Sequence, residues 1–126
     1  DIELRIECES PEVMGVPYLF KRAVLNLTTN AVRYARSQVV IKCYRKGAWV
    51  RVDVDDDGPG IPQEARAQVF QPFFRVDASR TADSGGFGLG LAIVRRIMAV
   101  HDGGVEVGES ALGGARFTLS FPVAQR

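Results

Sequence analysis

A strand that ends in a carboxylate is the feature that most constrains this sequence. Residues 49–55 alternate apolar and polar side chains, which is typical of a half-buried strand. With a period of two, Val50, Val52 and Val54 share one face, and Asp56 comes next on that same face. A carboxylate is therefore directed towards a core or a pocket, where burial without a hydrogen-bond donor is costly.

Two glycines, Gly58 and Gly60, follow this carboxylate at once. Glycine allows a tight turn and lets a ligand approach the backbone closely. An inward carboxylate followed by a glycine turn therefore indicates a site that recognises a nucleotide base. Taken alone, the same residues fit an acidic hairpin turn with a solvated end slightly better, so the other motifs have to decide between the two interpretations.

Length and charge narrow the class of protein. The 126 residues are enough for one domain with a substantial core, and we expect a single domain over residues 1–126, cut from a longer protein. A hydrophobic fraction of 46% and a charged fraction of 25% are ordinary for a globular fold. The formal net charge of +1 gives no reason to expect a nucleic acid partner or an anionic membrane. No apolar run is long enough to span a membrane, so we expect no direct membrane contact.

The cysteines and the histidine are predicted to be structural. Cys8 and Cys43 fall on separate predicted strands without metal-ligand spacing, which predicts reduced core thiols in a cytoplasmic setting. His101, the only histidine, ends a predicted helix, where a positive or hydrogen-bonding side chain is favourable. Because no second histidine or nearby cysteine accompanies it, a metal site is not expected.

A helix with two different stripes is predicted over residues 17–36. One stripe is apolar and has the helical period of a core-facing surface; it consists of Phe20, Ala23, Val24, Leu27, Ala31, Tyr34 and Ala35. A neighbouring stripe is polar and consists of Arg22, Asn26, Asn30 and Arg33. Asparagine is a mediocre helix former because its amide competes for backbone hydrogen bonds. Asn26 and Asn30, one turn apart beside the core edge, therefore indicate a ligand, although two tolerated surface asparagines fit as well without context.

Five strands and two long helices are predicted in all. The strands have alternating patterns and cover residues 2–8, 38–45, 49–55, 104–109 and 115–121. The second long helix covers residues 88–101 and is apolar nearly all round, while a short helix of about two turns opens at Pro62. With one solvated sheet face, these elements predict a two-layer α/β sandwich.

A long polar segment precedes the second helix. Residues 76–87 have no periodicity, and a loop of this length in a compact domain is usually functional or disordered. It ends in Gly86, Gly88 and Gly90, which lead into the helix. Such glycines expose backbone N–H groups and the positive end of the helix dipole, which favours phosphate binding. A glycine pattern of this kind is weak when it stands alone.

Four motifs follow one another in a fixed order. They are Asn26-x-x-x-Asn30-Ala31-x-Arg33-Tyr34, Asp56-Asp57-Gly58-x-Gly60-Ile61, Phe70-x-Pro72-Phe73-Phe74-Arg75 and Gly86-x-Gly88-Leu89-Gly90-Leu91. This order resembles the N box, first glycine box, F box and second glycine box of sensor histidine kinases, and the resemblance covers essentially the whole chain. It implies the Bergerat (GHKL) fold, a mixed five-stranded sheet with about three helices on one face. Residues 109–117 resemble kinases of the RstB type. Position 57 is Asp where the family often has Asn.

The resemblance implies a role for each motif residue in binding ATP. Asp56 would accept a hydrogen bond from the adenine amino group, which guanine lacks at that position, and Ile61 and Leu89 would pack the base beside the turn of Gly58 and Gly60.

The resemblance also implies a metal site and a phosphate site. Asn30 would give its amide oxygen to Mg²⁺, which prefers oxygen ligands, and Asn26 would support the phosphates. Arg33 and Tyr34 would flank the phosphates, and the three glycines that end at Gly90 would close over them. Two arginines would supply positive charge. Arg75 and Arg80 would be the cations of the lid that closes over the nucleotide, and Arg80 would stabilise the transferred phosphoryl group.

As a whole, the resemblance implies a catalytic domain that transfers the γ-phosphoryl group of ATP to a histidine in two-component signal transduction. The acceptor histidine would lie on separate dimerisation and phosphoacceptor helices of the parent protein, which would also meet a response regulator. The parent would be an inner-membrane sensor kinase with this domain in the cytoplasm.

Two rival functions remain at this stage. Gyrase, MutL and Hsp90-type ATPases share the fold and resemble one another in a water-activating glutamate four residues before the metal-binding Asn. Here that position is Asn26, which cannot act as a base, so hydrolysis as the main activity is disfavoured. A non-enzymatic ATP-gated binding module is the second rival, and the intact Asn30, Asp56 and glycine motifs argue against it.

Overall fold

A computed structural model of the chain describes residues 1–8, 18–72, 74 and 90–122. Its strands are β1 (Glu3–Cys8), β2 (Gln38–Lys46), β3 (Trp49–Asp56), β4 (Gly104–Glu109) and β5 (Ala115–Pro122). Its helices are α1 (Tyr18–Tyr34), α2 (Gly90–Val100) and a short 3₁₀ helix (Gln63–Ala65). The strand order is β1-β2-β3-β5-β4, with β1 parallel to β2 and the other pairs antiparallel.

The predicted fold class is confirmed. The sheet is mixed and five-stranded, and α1 and α2 pack against each other on one of its faces. The apolar face of α1 is closed off from solvent, since Ala23, Leu27 and Ala31 have no exposed surface. The sheet supplies Val39, Val52, Val54, Phe117 and Leu119 to the same core, and α2 supplies Val94, Ile97 and Met98. The helical period on α1 and the strand period on β3 therefore locate the core as predicted.

The region after the first glycine turn is less regular than predicted. A helix of about two turns was expected from Pro62, but the structure has a three-residue 3₁₀ helix followed by turns. The amides of Arg66, Gln68 and Gln71 each bond to the carbonyl three residues before them, which is the tighter spacing of a 3₁₀ turn. The segment is therefore a series of tight turns beside the core, in which Val69 and Phe70 are buried.

The sheet face opposite the helices is not simply solvated. Asp53 and Asp55 lie on that face of β3 and are almost completely buried. Asp53 accepts hydrogen bonds from Thr118 Oγ1 at 2.8 Å and Tyr44 Oη at 3.0 Å, and Asp55 pairs with Arg116 Nε at 2.8 Å. Burial of the phenol and its bond to Asp53 raise the pKa of Tyr44. Neighbouring side chains thus cover the centre of this face, so the prediction of a wet face is wrong there.

The edge strand β1 differs from its prediction in two ways. Alternation along β1 predicts an apolar face that includes Leu4 and Ile6, yet Ile6 remains 60% exposed, because among the described elements α1 packs mainly over β2 and β3. Cys8 and Cys43 are joined in a disulfide, so the prediction of two reduced thiols is wrong. Parallel pairing places these two residues directly opposite each other, with their Cα atoms 4.4 Å apart. Strand register brings them together, and spacing along the chain does not show it.

None of the described helices is long and apolar enough to cross a membrane.

Candidate functional site

The carboxylate of Asp56 lies at the end of the central strand β3, on the helix side of the sheet. The valines that precede it on this face are buried, as the alternation predicts, and Asp56 itself is only 3% exposed. Its Oδ1 accepts hydrogen bonds from the backbone N–H of Gly58 at 2.9 Å and of Ala115 at 3.2 Å. Within the described part of the chain, no hydrogen bond reaches Oδ2. The carboxylate is therefore held by one oxygen and offers the other to a donor.

Burial sets the ionisation of this carboxylate. Removal from water raises the pKa of Asp56, and the N–H groups of Gly58 and Ala115 oppose that rise only in part. A carboxylate with these surroundings accepts a hydrogen bond strongly, because the site is shielded from water. An external N–H donor that reached it would relieve part of the cost of burying the charge.

Two glycines beside Asp56 have no room for a side chain, and the backbone conformation of a third favours glycine. A Cβ on Gly58 would collide with the carbonyl oxygen of Tyr34, at the end of α1. A Cβ on Gly114 would collide with Asp56 Oδ1 and lie 2.6 Å from the nitrogen of Gly58. Gly60 has φ +77°, a conformation that favours glycine. Two of the three, Gly58 and Gly60, belong to the motif that predicts a base site.

Gly114 and Ala115 are the site residues that sequence reasoning missed. Gly114 ends the turn that follows β4 and Ala115 begins β5, and the N–H of Ser110 bonds to the carbonyl of Gly114 at 2.9 Å. They reach Asp56 because β5 pairs with β3, as the register of Asp55 with Arg116 shows. The glycine pair at 113–114 was a visible signal, but it could not be placed without the strand order.

The neighbouring carboxylate of Asp57 binds a different part of the chain. Its Oδ1 accepts the backbone N–H groups of Arg36 at 2.8 Å, Ser37 at 3.0 Å and Gln38 at 3.2 Å. Its Oδ2 accepts the Ser37 hydroxyl at 2.7 Å and the Ser37 N–H at 3.2 Å. The bonds from Ser37, side chain first and then backbone, hold the pKa of Asp57 well below its usual range. These contacts join the connection between α1 and β2 to the end of β3.

Helix α1 carries the predicted asparagines from the base turn towards the start of α2. Tyr34 ends the helix against Gly58, and Asn30 lies one turn before it. Asn26 lies one further turn back, and its Nδ2 is 3.5 Å from the carbonyl oxygen of Gly90, at the outer limit of a hydrogen bond. The two asparagines therefore lie between Asp56 and the N-terminus of α2. The eight residue steps from Asn26 to Tyr34 extend about 12 Å along the helix axis.

The half-buried Asn30 is suited to a metal ion whose other ligands are phosphate oxygens and waters. Its amide makes no hydrogen bond to any described residue, and an amide oxygen is the hard donor that Mg²⁺ accepts. Among the residues that the structure describes, no group of three or more His, Cys, Asp or Glu could hold a metal ion. One protein oxygen, with phosphate oxygens and waters for the rest, is a common arrangement for Mg²⁺.

The other predicted site residues divide into two groups. Ile61 is partly buried and packs against the core, Arg33 is exposed on α1, and Gly90 is the first residue of α2. The second group lies outside the described residues and consists of Arg75, Arg80, Gly86, Gly88 and Leu89. His101 bonds through Nδ1 to the carbonyl of Ile97 at 2.8 Å, which agrees with its predicted structural role.

Comparison with known proteins gives consistent matches. The family model described as "Histidine kinase-, DNA gyrase B-, and HSP90-like ATPase" matches residues 15–125. The sensor protein RstB of Escherichia coli (strain K12) is 46% identical over 105 residues, which is 83% of this chain and 24% of RstB. The chain spans about a quarter of the length of the curated relatives that it matches.

Solved structures resemble the whole chain. The mycobacterial sensor histidine kinase MprB has a TM-score of 0.84 and 30% identity, covering 99% of this chain and 86% of that one. The full-length kinase ShkA in complex with AMPPNP has a TM-score of 0.79 and 33% identity, covering 99% of this chain and 26% of that one.

The packing around Gly114 predicts a local and costly substitution. Gly114→Ala should destabilise the protein by about 1–3 kcal/mol, because the added methyl group must displace Asp56 or the Gly58 backbone. Gly108→Ala is the matched control, since nothing lies within 4 Å of a Cβ there. Denaturant unfolding of both variants measures the difference. Equal free energies of unfolding would contradict the packing described here.

The raised pKa of Asp56 predicts that this carboxylate costs stability. Asp56→Asn keeps an oxygen for the N–H groups of Gly58 and Ala115 while removing the buried charge. At pH 7.5 the ligand-free variant should therefore be at least as stable as the parent chain.

The pH dependence of that difference has a definite sign. With a raised pKa, the folded parent chain binds more protons than the unfolded chain between the unfolded-state pKa of about 4 and the raised value, so its stability increases as the pH falls through that window. The difference in free energy of unfolding between Asp56→Asn and the parent chain should therefore decrease as the pH is lowered. Asp57 titrates in the opposite sense but is present in both proteins. Unfolding curves at pH 7.5 and 4.5 test this, and a variant much less stable at pH 7.5 would count against it.

Proposed function

Because the chain belongs to the family of histidine kinase-, DNA gyrase B- and HSP90-like ATPases, and is homologous to the ATP-binding catalytic domains of sensor histidine kinases, we propose that it binds Mg²⁺-ATP and transfers the γ-phosphoryl group to a histidine of its parent protein. The family predicted from the four motifs is thereby confirmed. The acceptor histidine is proposed to lie on separate dimerisation and phosphoacceptor helices, which pass the phosphoryl group to a response regulator. The parent is proposed to be an inner-membrane sensor kinase with this domain in the cytoplasm.

The state of Asp56 is the observation that carries the proposal. Its buried carboxylate is oriented through Oδ1 by two backbone N–H groups, and no described donor reaches Oδ2. The 6-amino group of adenine is such a donor, whereas guanine presents an oxo group at that position and would leave two acceptors facing each other. Adenine selectivity therefore follows from Asp56, with Ile61 proposed to pack the base. The complex of the similar kinase ShkA with AMPPNP supports an adenine nucleotide as ligand.

The phosphates are proposed to lie between α1 and the N-terminus of α2. Gly90 begins α2, where exposed N–H groups and the helix dipole favour an anion. Asn26 and Arg33 are proposed to contact the phosphates from α1, with Tyr34 beside them, and Gly86, Gly88 and Leu89 from the sequence that precedes α2. Asn30 is proposed to hold Mg²⁺, which when bound neutralises phosphate charge.

In the proposed reaction, an imidazole nitrogen of the acceptor supplies the electron pair of a new P–N bond. The bond between the γ-phosphorus and the bridging oxygen breaks, and ADP leaves with the electron pair of that broken P–O bond. The chain contributes position, by fixing the base at Asp56 and the phosphates at α2, and charge stabilisation. Arg80 and Arg75, which lie outside the described residues, are proposed to supply the positive charge. Asn26 offers no general base, which favours transfer over hydrolysis.

The proposed metal role of Asn30 predicts a selective loss. Asn30→Ala should weaken ATP binding in the presence of Mg²⁺ by about tenfold while leaving Mg²⁺-free binding nearly unchanged, since only one oxygen ligand is removed. Thr29→Ala, an exposed position on the same helix, is the control. Calorimetric titration with and without EDTA measures both affinities. Equal weakening under both conditions would show that Asn30 does not bind the metal.

The proposed chemistry predicts slow turnover by the chain alone and fast transfer to its acceptor. Incubation with labelled ATP and the parent's acceptor helices should give acid-labile phosphohistidine. Arg80→Ala should lower the transfer rate by about a hundredfold or more with little change in ATP affinity, as expected for a contact made mainly in the transition state.

The same assay separates the rival functions. Rapid ATP hydrolysis by the chain alone would favour a GHKL-type ATPase. Binding of ATP without transfer to the acceptor would favour an ATP-gated binding module. Transfer that is indifferent to Arg80→Ala would remove that residue from the mechanism.

A further inference from the structure

Asp57 forms a junction between the two halves of the proposed nucleotide site. One half is the end of β3, where Asp56 and Gly58 flank Asp57 in sequence. The other half is α1, whose last residue is followed within four positions by the Arg36, Ser37 and Gln38 amides that Asp57 binds. Two other contacts join the halves beside the site: the Tyr34 carbonyl packs against Gly58, and Val39 pairs with Asp56 in the β2–β3 ladder.

The junction is an anion held by consecutive backbone donors. Three successive N–H groups converge on one carboxylate, an arrangement that proteins use to bind anions with main-chain dipoles. The same amides follow the end of α1 at Tyr34 and would belong to its next turn if the helix continued. The carbonyl of Ser37 in turn accepts the N–H of Glu3 at 2.8 Å, so the start of β1 is fixed at the same point.

We propose that Asp57 is a positioning residue that fixes the base-binding carboxylate Asp56 relative to Asn30 on α1, so that one ATP molecule reaches both. This inference rests on the proposed function, because it assigns the base to Asp56 and the metal-bound phosphates to Asn30. Asp57 touches neither group of the nucleotide in this arrangement. It acts through Gly58, whose N–H orients Asp56, and through the end of α1, one turn from Asn30.

The chemistry of the junction requires a carboxylate for full effect. Asp57 accepts five hydrogen bonds and donates none, and both of its oxygens are used. An asparagine would retain one accepting oxygen but would turn an NH₂ group towards the N–H of Ser37, placing two donors together. Asp57→Asn should therefore retain part of the effect, and Asp57→Ala none.

The effect of positioning is measured by comparing whole and divided ligands. ATP gains affinity from binding at two places at once, and that gain depends on the two places being held at the right separation. Adenosine uses only the base half, and inorganic triphosphate with Mg²⁺ uses only the phosphate half. Asp57→Ala should weaken ATP binding by about tenfold and change the affinities of adenosine and triphosphate by less than about twofold.

The experiment uses the 126-residue chain, calorimetry for ATP, and NMR titration for the weakly binding fragments, all below the unfolding temperature of each variant. Asp57→Asn and Ser37→Ala should fall between the parent and Asp57→Ala, since each removes part of the junction. Glu7→Gln is the control: it neutralises an exposed carboxylate on β1 whose ion pair is with Arg5 and involves no residue of the junction. It should leave all three affinities unchanged.

Each outcome decides the matter. A selective loss of ATP affinity supports positioning. Equal weakening of all three ligands, or no weakening, would show that Asp57 serves only to stabilise the fold and would overturn the inference while leaving the proposed function intact. If Asp57→Ala does not fold, Asp57→Asn and Ser37→Ala decide by the same comparison. If the parent chain binds neither ATP nor adenosine, both the proposed function and this inference fall.

Discussion

A negative charge closed off from water at the end of the central strand is the constraint on which the rest of the site depends. Asp56 is tolerable there because two backbone N–H groups bind one of its oxygens. Those two groups come from the turn after β3 and from the start of β5, so both segments must approach within hydrogen-bonding distance. The approach excludes side chains at Gly58 and Gly114. A single buried carboxylate thus fixes the backbone of two loops and the identity of two residues.

Helix α1 extends the site from Asp56 towards the start of α2. Its end packs against the turn beside Asp56, and its asparagines follow at intervals of one turn towards the start of α2. A ligand with a hydrogen-bonding base at one end and anionic groups at the other matches this order. A side chain that could activate water does not occur at Asn26, the position that faces the start of α2. The arrangement therefore holds a nucleotide without offering water a base on this helix.

Much of this could be predicted from the sequence because it depends on local periodicity. The alternation of Val50, Val52 and Val54 located Asp56 on the helix side, and the two stripes of α1 separated its core from its asparagines. Contacts that depend on strand order could not be predicted. Ala115 reaches Asp56 only because β5 inserts between β3 and β4, and Cys8 meets Cys43 only through the parallel register of β1 and β2.

Other differences between prediction and structure arose where tertiary packing overrode local propensity. The connection after Pro62 is turned rather than helical, and the outer face of β3 is covered by the long side chains of Tyr44 and Arg116 rather than by water. The acidic residue at position 57 was recognised as unusual in the sequence, but its partners lie some twenty residues away. Arg75, Arg80 and the glycines before Gly90 lie outside the described residues, and their roles remain predictions.

The four acidic residues at the end of β3 also bear on how the sheet finds its alignment. Asp53, Asp55, Asp56 and Asp57 look interchangeable in sequence, yet each has its own partners: Thr118 and Tyr44, Arg116, the Gly58 and Ala115 amides, and the residues that follow α1. A slip of one residue would turn every side chain of the strand to the opposite face and separate the four carboxylates from their partners on neighbouring segments, leaving Asp56 only the local Gly58 amide. A misaligned pairing of β3 therefore loses all of its contacts between segments at once, and the acidic run favours a single register instead of allowing several.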